Sequence, residues 1–108
     1  MYQGSSTVQV FCLDKDLSDC TVYLDIRTAT GEIISKSGQD LIVTVENGVT
    51  SIALVLTQED TLQLPEGVCQ VQARWIDKDG NSDSSDAASI EIRGILNRRV
   101  ITYEEVDE

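Results

Sequence analysis

The chain has 108 residues, with 19 Asp and Glu against 8 Lys and Arg, no histidine, and a formal net charge of −11. That is one domain's length, and an apolar fraction of 41% suffices for one core without a disulfide or metal. The charge argues against nucleic acid, whose binding rests on clustered Lys and Arg, and against an anionic membrane surface. It suits a well-solvated domain that repels its own copies at low salt.

The opening Met1-Tyr2-Gln3-Gly4-Ser5-Ser6 has neither the basic start nor the apolar run of a signal peptide. No stretch reaches the ~18 apolar residues of a membrane span. The expectation is a chain made in the cytoplasm and released by lysis if at all.

A period of two runs through most of the sequence. Val8, Val10 and Cys12 alternate with Gln9, Phe11 and Leu13, and the first set is read as the core-facing one. Cys20, Val22, Leu24 and Ile26 alternate with Thr21, Tyr23, Asp25 and Arg27, as in a half-buried antiparallel strand. Thr30-Gly31 makes a turn and Glu32–Lys36 returns as a short strand. Leu41, Val43 and Val45 lead into Asn47-Gly48, a pair that accepts positive φ at both positions of a type I′ turn. Ile52, Leu54 and Leu56 then carry the return strand inward.

Thr57 is placed to cap one short turn of helix, with Asp60 three residues on near its positive end. This turn is expected to cross from one sheet to the other, and Pro65 keeps it short. The longest strand follows, with Cys69, Val71, Ala73 and Trp75 on one side and Gln70, Gln72 and Arg74 on the other. Asp77-Lys78-Asp79-Gly80 turns the chain, Asn81–Ser85 reads as a weak edge strand or loop, and Ala88, Ile90 and Ile92 mark a last strand. Some seven or eight short strands without a long helix predict an all-β, antiparallel, immunoglobulin-like β-sandwich over residues 1–94. Residues 95–108 form a C-terminal arm and acidic tail.

Little here points to chemistry. Without histidine the usual general base at neutral pH is missing. The serines lack a nucleophile-elbow setting, and a catalytic carboxylate pair cannot be told from the acidic background. No cofactor is expected and the chain is read as not an enzyme. Asp77-Lys78-Asp79-Gly80-Asn81-Ser82-Asp83 has the alternating oxygens of a calcium loop. But Gly80 stands fourth where an EF-hand has it sixth, and Ala88 stands twelfth in place of a bidentate Glu. An Asp- and Gly-rich hairpin turn accounts for it, and the same holds for Asp14, Asp16 and Asp19. No metal site is expected.

The three cysteines, Cys12, Cys20 and Cys69, fit no zinc spacing. All lie on what reads as the apolar phase, so buried free thiols are expected. A Cys20–Cys69 bridge between sheets is the alternative, although Trp75 then follows the second cysteine, the wrong order for a true immunoglobulin domain. Trp75 is read as core. Arg93, Arg98 and Arg99 cluster with Ile95, Leu96, Val100 and Ile101. An apolar arm with arginines suits docking on a partner, and a last strand packed on its own sheet is the competing reading. The candidate interface is Ile95, Leu96, Arg98, Arg99, Val100 and Ile101.

Four segments carry a family resemblance: Tyr2-Gln3-Gly4-Ser5, Leu56-Thr57-Gln58-Glu59-Asp60-Thr61-Leu62, Gly67–Asp77, and Ile95-Leu96…Val100-Ile101. The chain resembles small proteins encoded among the structural genes of phages and prophages of Gram-positive gut bacteria. It is similar to the immunoglobulin-like N-terminal domain of phage baseplate upper proteins. It departs from that pattern near Arg98-Arg99, where Gly usually stands, and no long C-terminal fibre or receptor-binding region is expected. The resemblance implies a virion structural or assembly module, made in the host cytoplasm and then carried in the particle. Its partners would be other phage structural proteins or itself in a homo-oligomer, with no nucleic acid and no membrane. The arm and the strand edges at the N-terminal strand and Asn81–Ala88 would do the docking. An adhesion or carbohydrate-binding module is the alternative, for which a row of exposed aromatics is expected. An acidic mimic of nucleic acid ranks last, since its acids would have to share one face.

Overall fold

A computed structural model describes residues 1–103; the acidic tail at Glu104–Glu108 lies outside the described residues. Among the described residues there are eight strands: β1 (Thr7–Leu13), β2 (Cys20–Arg27), β3 (Ile33–Ser37), β4 (Leu41–Glu46), β5 (Val49–Leu56), β6 (Gly67–Asp77), β7 (Ser82–Ser84) and β8 (Ala88–Ile92). A 3₁₀ turn (Gly38–Asp40) precedes β4, and a one-turn helix α1 (Gln58–Leu62) separates β5 from β6.

All strand pairings are antiparallel. One sheet has the order β1-β5-β4. The other runs β3-β2-β6, and β7 and β8 lie end to end along the free edge of β6, against Arg74–Ile76 and Gly67–Val71 respectively. β1, β5 and β4 take the places of strands B, E and D of an immunoglobulin sandwich, and β3, β2, β6 and β7–β8 those of C′, C, F and G. The outer edge of β1, where strand A lies in that fold, is unpaired among the described residues. Only Met1–Gln3 reaches the neighbouring edge, through a parallel bridge of Tyr2 with Arg93, the Gln3 N–H donating to Arg93 O at 2.9 Å and the Arg93 N–H to Met1 O at 2.7 Å.

The core lies between the sheets. Leu24, Ile52 and Leu54 are its most enclosed side chains, with Val22, Ile26, Leu56, Val71, Ala73 and Trp75 around them. Full burial of each aliphatic contributes about 1.5–3 kcal/mol. Asn47 and Gly48 both take positive φ, 52° and 77°, the backbone a type I′ hairpin requires. At α1 the Thr57 hydroxyl accepts the Asp60 N–H at 3.2 Å and the Asp60 carboxylate accepts the Thr57 N–H at 2.8 Å, a complete capping box. Backbone contacts from buried polar side chains tie the loops to this frame. Thr50 Oγ1 donates to Lys15 O at 2.6 Å and accepts from Leu17 N at 3.0 Å, and Thr61 Oγ1 donates to Ser5 O at 2.9 Å.

The sequence reading of β1 has the wrong phase. Thr7, Gln9, Phe11 and Leu13 turn inward, and Val8, Val10 and Cys12 face solvent. The strand is apolar on both phases, so alternation cannot choose between them, and the bulkier Phe11 and Leu13 take the inside. One thiol expected to be buried is therefore exposed: Cys12 lies outside, Cys20 is half-buried and Cys69 is buried, all three free. The alternative bridge between sheets has no geometry to form. Cys20 and Cys69 share a sheet, and since Cys20 sits opposite Asp77, Cys69 is eight residues along β6 from that point. That is roughly 26 Å of strand, far beyond disulfide reach.

Candidate interaction surface

The two sheets show solvent different chemistry. The outside of the β3-β2-β6 sheet carries Tyr23, Asp25 and Arg27 of β2 and Gln70, Gln72 and Arg74 of β6 at its centre, with Val68 and Ile76 at the two ends of the β6 row and Ile33 at the start of β3. Polar groups there bond one another: Arg27 donates to Gln70, and Ser35 Oγ donates to Asp25 at 2.5 Å. The outside of the β1-β5-β4 sheet is built from Val8, Val10 and Cys12, from Ala53 and Val55, and from Ile42. The ladder sets Val8 opposite Val55, and Val10 and Ile42 on either side of Ala53. Val8 is 55% exposed, Val10 58%, Ile42 56% and Val55 43%. Ser51 and Thr44 continue the rows beyond Cys12, so the centre of this face carries no charge in a chain whose residues are 25% charged.

This apolar face turns the corner at the free edge of β1. There a groove of about 420 Å³ opens between β1 and the β7–β8 edge, its floor made by Phe11, Leu13, Leu24, Val71 and Ala73. Asp86 stands on its rim, and Lys15 and Asp83 pair across the same end of the sandwich at 3.8 Å. Lys15 Nζ also lies 5.4 Å from the centroid of the Trp75 ring, which is itself buried.

Of the six residues expected at the interface, one is half-buried and five are exposed. Ile95 is half-buried, its Cδ1 3.0 Å from where a Cβ on Gly4 would lie, close to Leu62. Arg98 donates to Leu62 O, and Gln58 receives the Ile101 N–H at 3.0 Å while donating to Ile101 O at 2.8 Å. The segment from Ile95 to Ile101 thus lies back along α1. Leu96, Arg98, Arg99, Val100 and Ile101 stay exposed there. The apolar face on β1, β4 and β5 escaped the sequence reading, yet a signal was present: β1 and β4 carry apolar residues on both phases, which a half-solvated strand does not need.

The Asp77 carboxylate is committed to its own turn, where Oδ1 accepts the N–H of Asp79 at 2.9 Å and of Asn81 at 3.0 Å. Those bonds hold Asp77 below the usual carboxylate pKa. No group of three or more Cys, Asp or Glu among the described residues is placed to hold a metal ion. No helix among them is long and apolar enough to cross a membrane.

No protein-family model and no curated protein matches the chain.

Proposed function

We propose that this immunoglobulin-like sandwich is a non-catalytic assembly module of a phage-derived particle, of baseplate, tail or decoration type. It works by protein–protein contact, first in the host cytoplasm and then in the virion. The observation that carries the interaction reading is the charge-free apolar face of Val8, Val10, Ile42, Ala53 and Val55, which adjoins an unpaired strand edge. Contiguous apolar surface on an otherwise highly charged domain marks a docking site, and a free edge offers backbone groups to a neighbour. The phage setting comes from the resemblance of Gly67–Asp77 and its companion segments. A carbohydrate-binding module draws less support, because its aromatics scatter. Tyr23 lies outside the second sheet, Trp75 and Phe11 turn inward, and Tyr2 stacks on Arg93 at 6.0 Å.

Particles purified by density gradient from an induced culture of the encoding cell, analysed by mass spectrometry, test the reading. The chain is expected in the particle fraction at a fixed ratio to the major structural proteins. Its confinement to the soluble fraction overturns the proposal.

A further inference from the structure

We infer that β1 pairs with β1 of a second copy, antiparallel about a two-fold axis at Val10, to make one six-stranded sheet; this rests on the assembly reading above. The sandwich has four kinds of free edge, and three are defended. β3 carries Lys36, β4 ends in Glu46, β7 holds Asp83 and β8 holds Glu91, with Met1–Gln3 laid over the end of β8. Charges and coverings of this kind are how sheet edges avoid neighbours. β1 has none of them. Its seven residues contain no charge, proline or glycine, and each pairs with a single residue of β5, so no bulge interrupts it.

The occupant follows from chemistry. The outer edge of β1 presents backbone donors and acceptors, which an extended strand satisfies. That strand must be apolar on both sides, because β1 offers Val8, Val10 and Cys12 outside and Phe11 and Leu13 inside. It must also keep carboxylates away from the axis, since each copy carries −11. Among the described edge strands β1 and β4 are apolar on both phases, and β1 alone holds no charge anywhere along its length. Centred on Val10, the pairing sets Val10 against Val10, Val8 against Cys12, Gln9 against Phe11 and Thr7 against Leu13. Asp14 then falls opposite Ser6, not opposite another acid. The two outer rows merge into one apolar strip flanked on each side by Ala53 and Val55. The inner row of the second copy lies along the mouth of the groove beside Phe11 and Leu13. Burial on the order of 1,000 Å² in all sits at the lower limit for a specific interface, so the dimer is concentration-dependent. The like charge of the copies makes it salt-dependent.

Sedimentation velocity on the full chain at low and moderate salt tests this. A monomer–dimer equilibrium is expected that tightens roughly tenfold as salt screens the two acidic copies. Val10→Glu and Val10→Lys, at an exposed position where the fold is kept, should each weaken it on the order of a hundredfold through like charges at the axis. An equimolar mixture of the two variants should restore the dimer, because unlike charges then meet. Truncation after Gly94 should leave it intact. A wild-type monomer at every salt and concentration overturns the inference. So does a dimer indifferent to both variants, a mixture that fails to restore it, or loss on truncation alone. The particle experiment separates the two readings: a chain found in virions but monomeric in solution sinks the β1 pairing and leaves the assembly role. A β1 dimer absent from particles does the reverse.

Discussion

The outer faces of the two sheets differ although one core holds both. Outside β2 and β6, Arg27 bonds Gln70 and Asp25 bonds Ser35 across neighbouring strands, and apolar Val68 and Ile76 stand only at the two ends of the β6 row. Outside β1, β4 and β5, the same positions in the ladder hold Val8, Val10, Ile42, Ala53 and Val55. The inner faces are alike, so folding does not require the difference. Apolar surface left in water contributes nothing to the stability of the monomer, whereas about 25 cal/mol per Å² becomes available when something covers it. The contrast is why we propose the three-stranded sheet as the face that meets a partner.

The largest effect that checks the contrast is chemical. With the chain dilute and at low salt, a thiol reagent should modify Cys12 first, because it stands on the exposed face with only Ser51 Oγ 3.6 Å away. Cys69 is buried, and burial also pushes its thiol pKa up, so less of the reactive thiolate forms. Its labelling should be at least about a hundredfold slower and should follow opening of the domain. Time-resolved mass spectrometry reads the order. Equal rates would mean that β1 has the opposite phase and that the apolar face is not where it is placed.

A stability measurement sharpens the same point on β5, where adjacent residues face opposite ways. Leu54 is 1% exposed and Val55 is 43% exposed. Leu54→Ala should cost about 2–5 kcal/mol through lost burial and the cavity left behind. Val55→Ala should cost less than about 1 kcal/mol. Urea unfolding of both variants gives the two values. Similar costs would show that the outer face is already covered in the monomer, and would remove the reason to look for a partner there.

How much of this was legible depended on whether a strand commits one phase to the core. β2 and β6 do: Val22, Leu24 and Ile26, and Val71, Ala73 and Trp75, alternate with polar residues, and both phases were read as found. Asn47-Gly48 and the Thr57–Asp60 box are local signals whose geometry is set within four residues, and both formed as expected. β1 was misread because both its phases are apolar, and that ambiguity is the mark of its exposed face. The seating of the arm was illegible for a different reason. The bonds of Gln58 with Ile101 and of Arg98 with Leu62 span 43 and 36 residues. Those of Thr61 with Ser5 and Gln3 with Leu64 span 56 and 61. Each is a side-chain contact to distant backbone with no local pattern to announce it.

The smallest effect concerns α1, which carries the chain from the apolar-faced sheet to the polar-faced one. Thr57→Ala removes the acceptor of the Asp60 N–H and should cost about 1 kcal/mol, within the range for N-cap hydroxyls. The other half of the box depends on pH. The Thr57 N–H donates to the Asp60 carboxylate and holds its pKa below the ordinary value, against an opposing contribution from partial burial. A group with a depressed folded pKa contributes stability above its unfolded value, ~3.9 for Asp, and loses it as pH falls through the folded value. Asp60→Ala should therefore be less stable than wild type at neutral pH, and the gap should close once pH has fallen below the usual carboxylate range. Thermal melts of both proteins from neutral to acid pH show whether it does. A gap that stayed constant would mean that Asp60 works by shape alone, and that the crossover between the two sheets owes nothing to its charge.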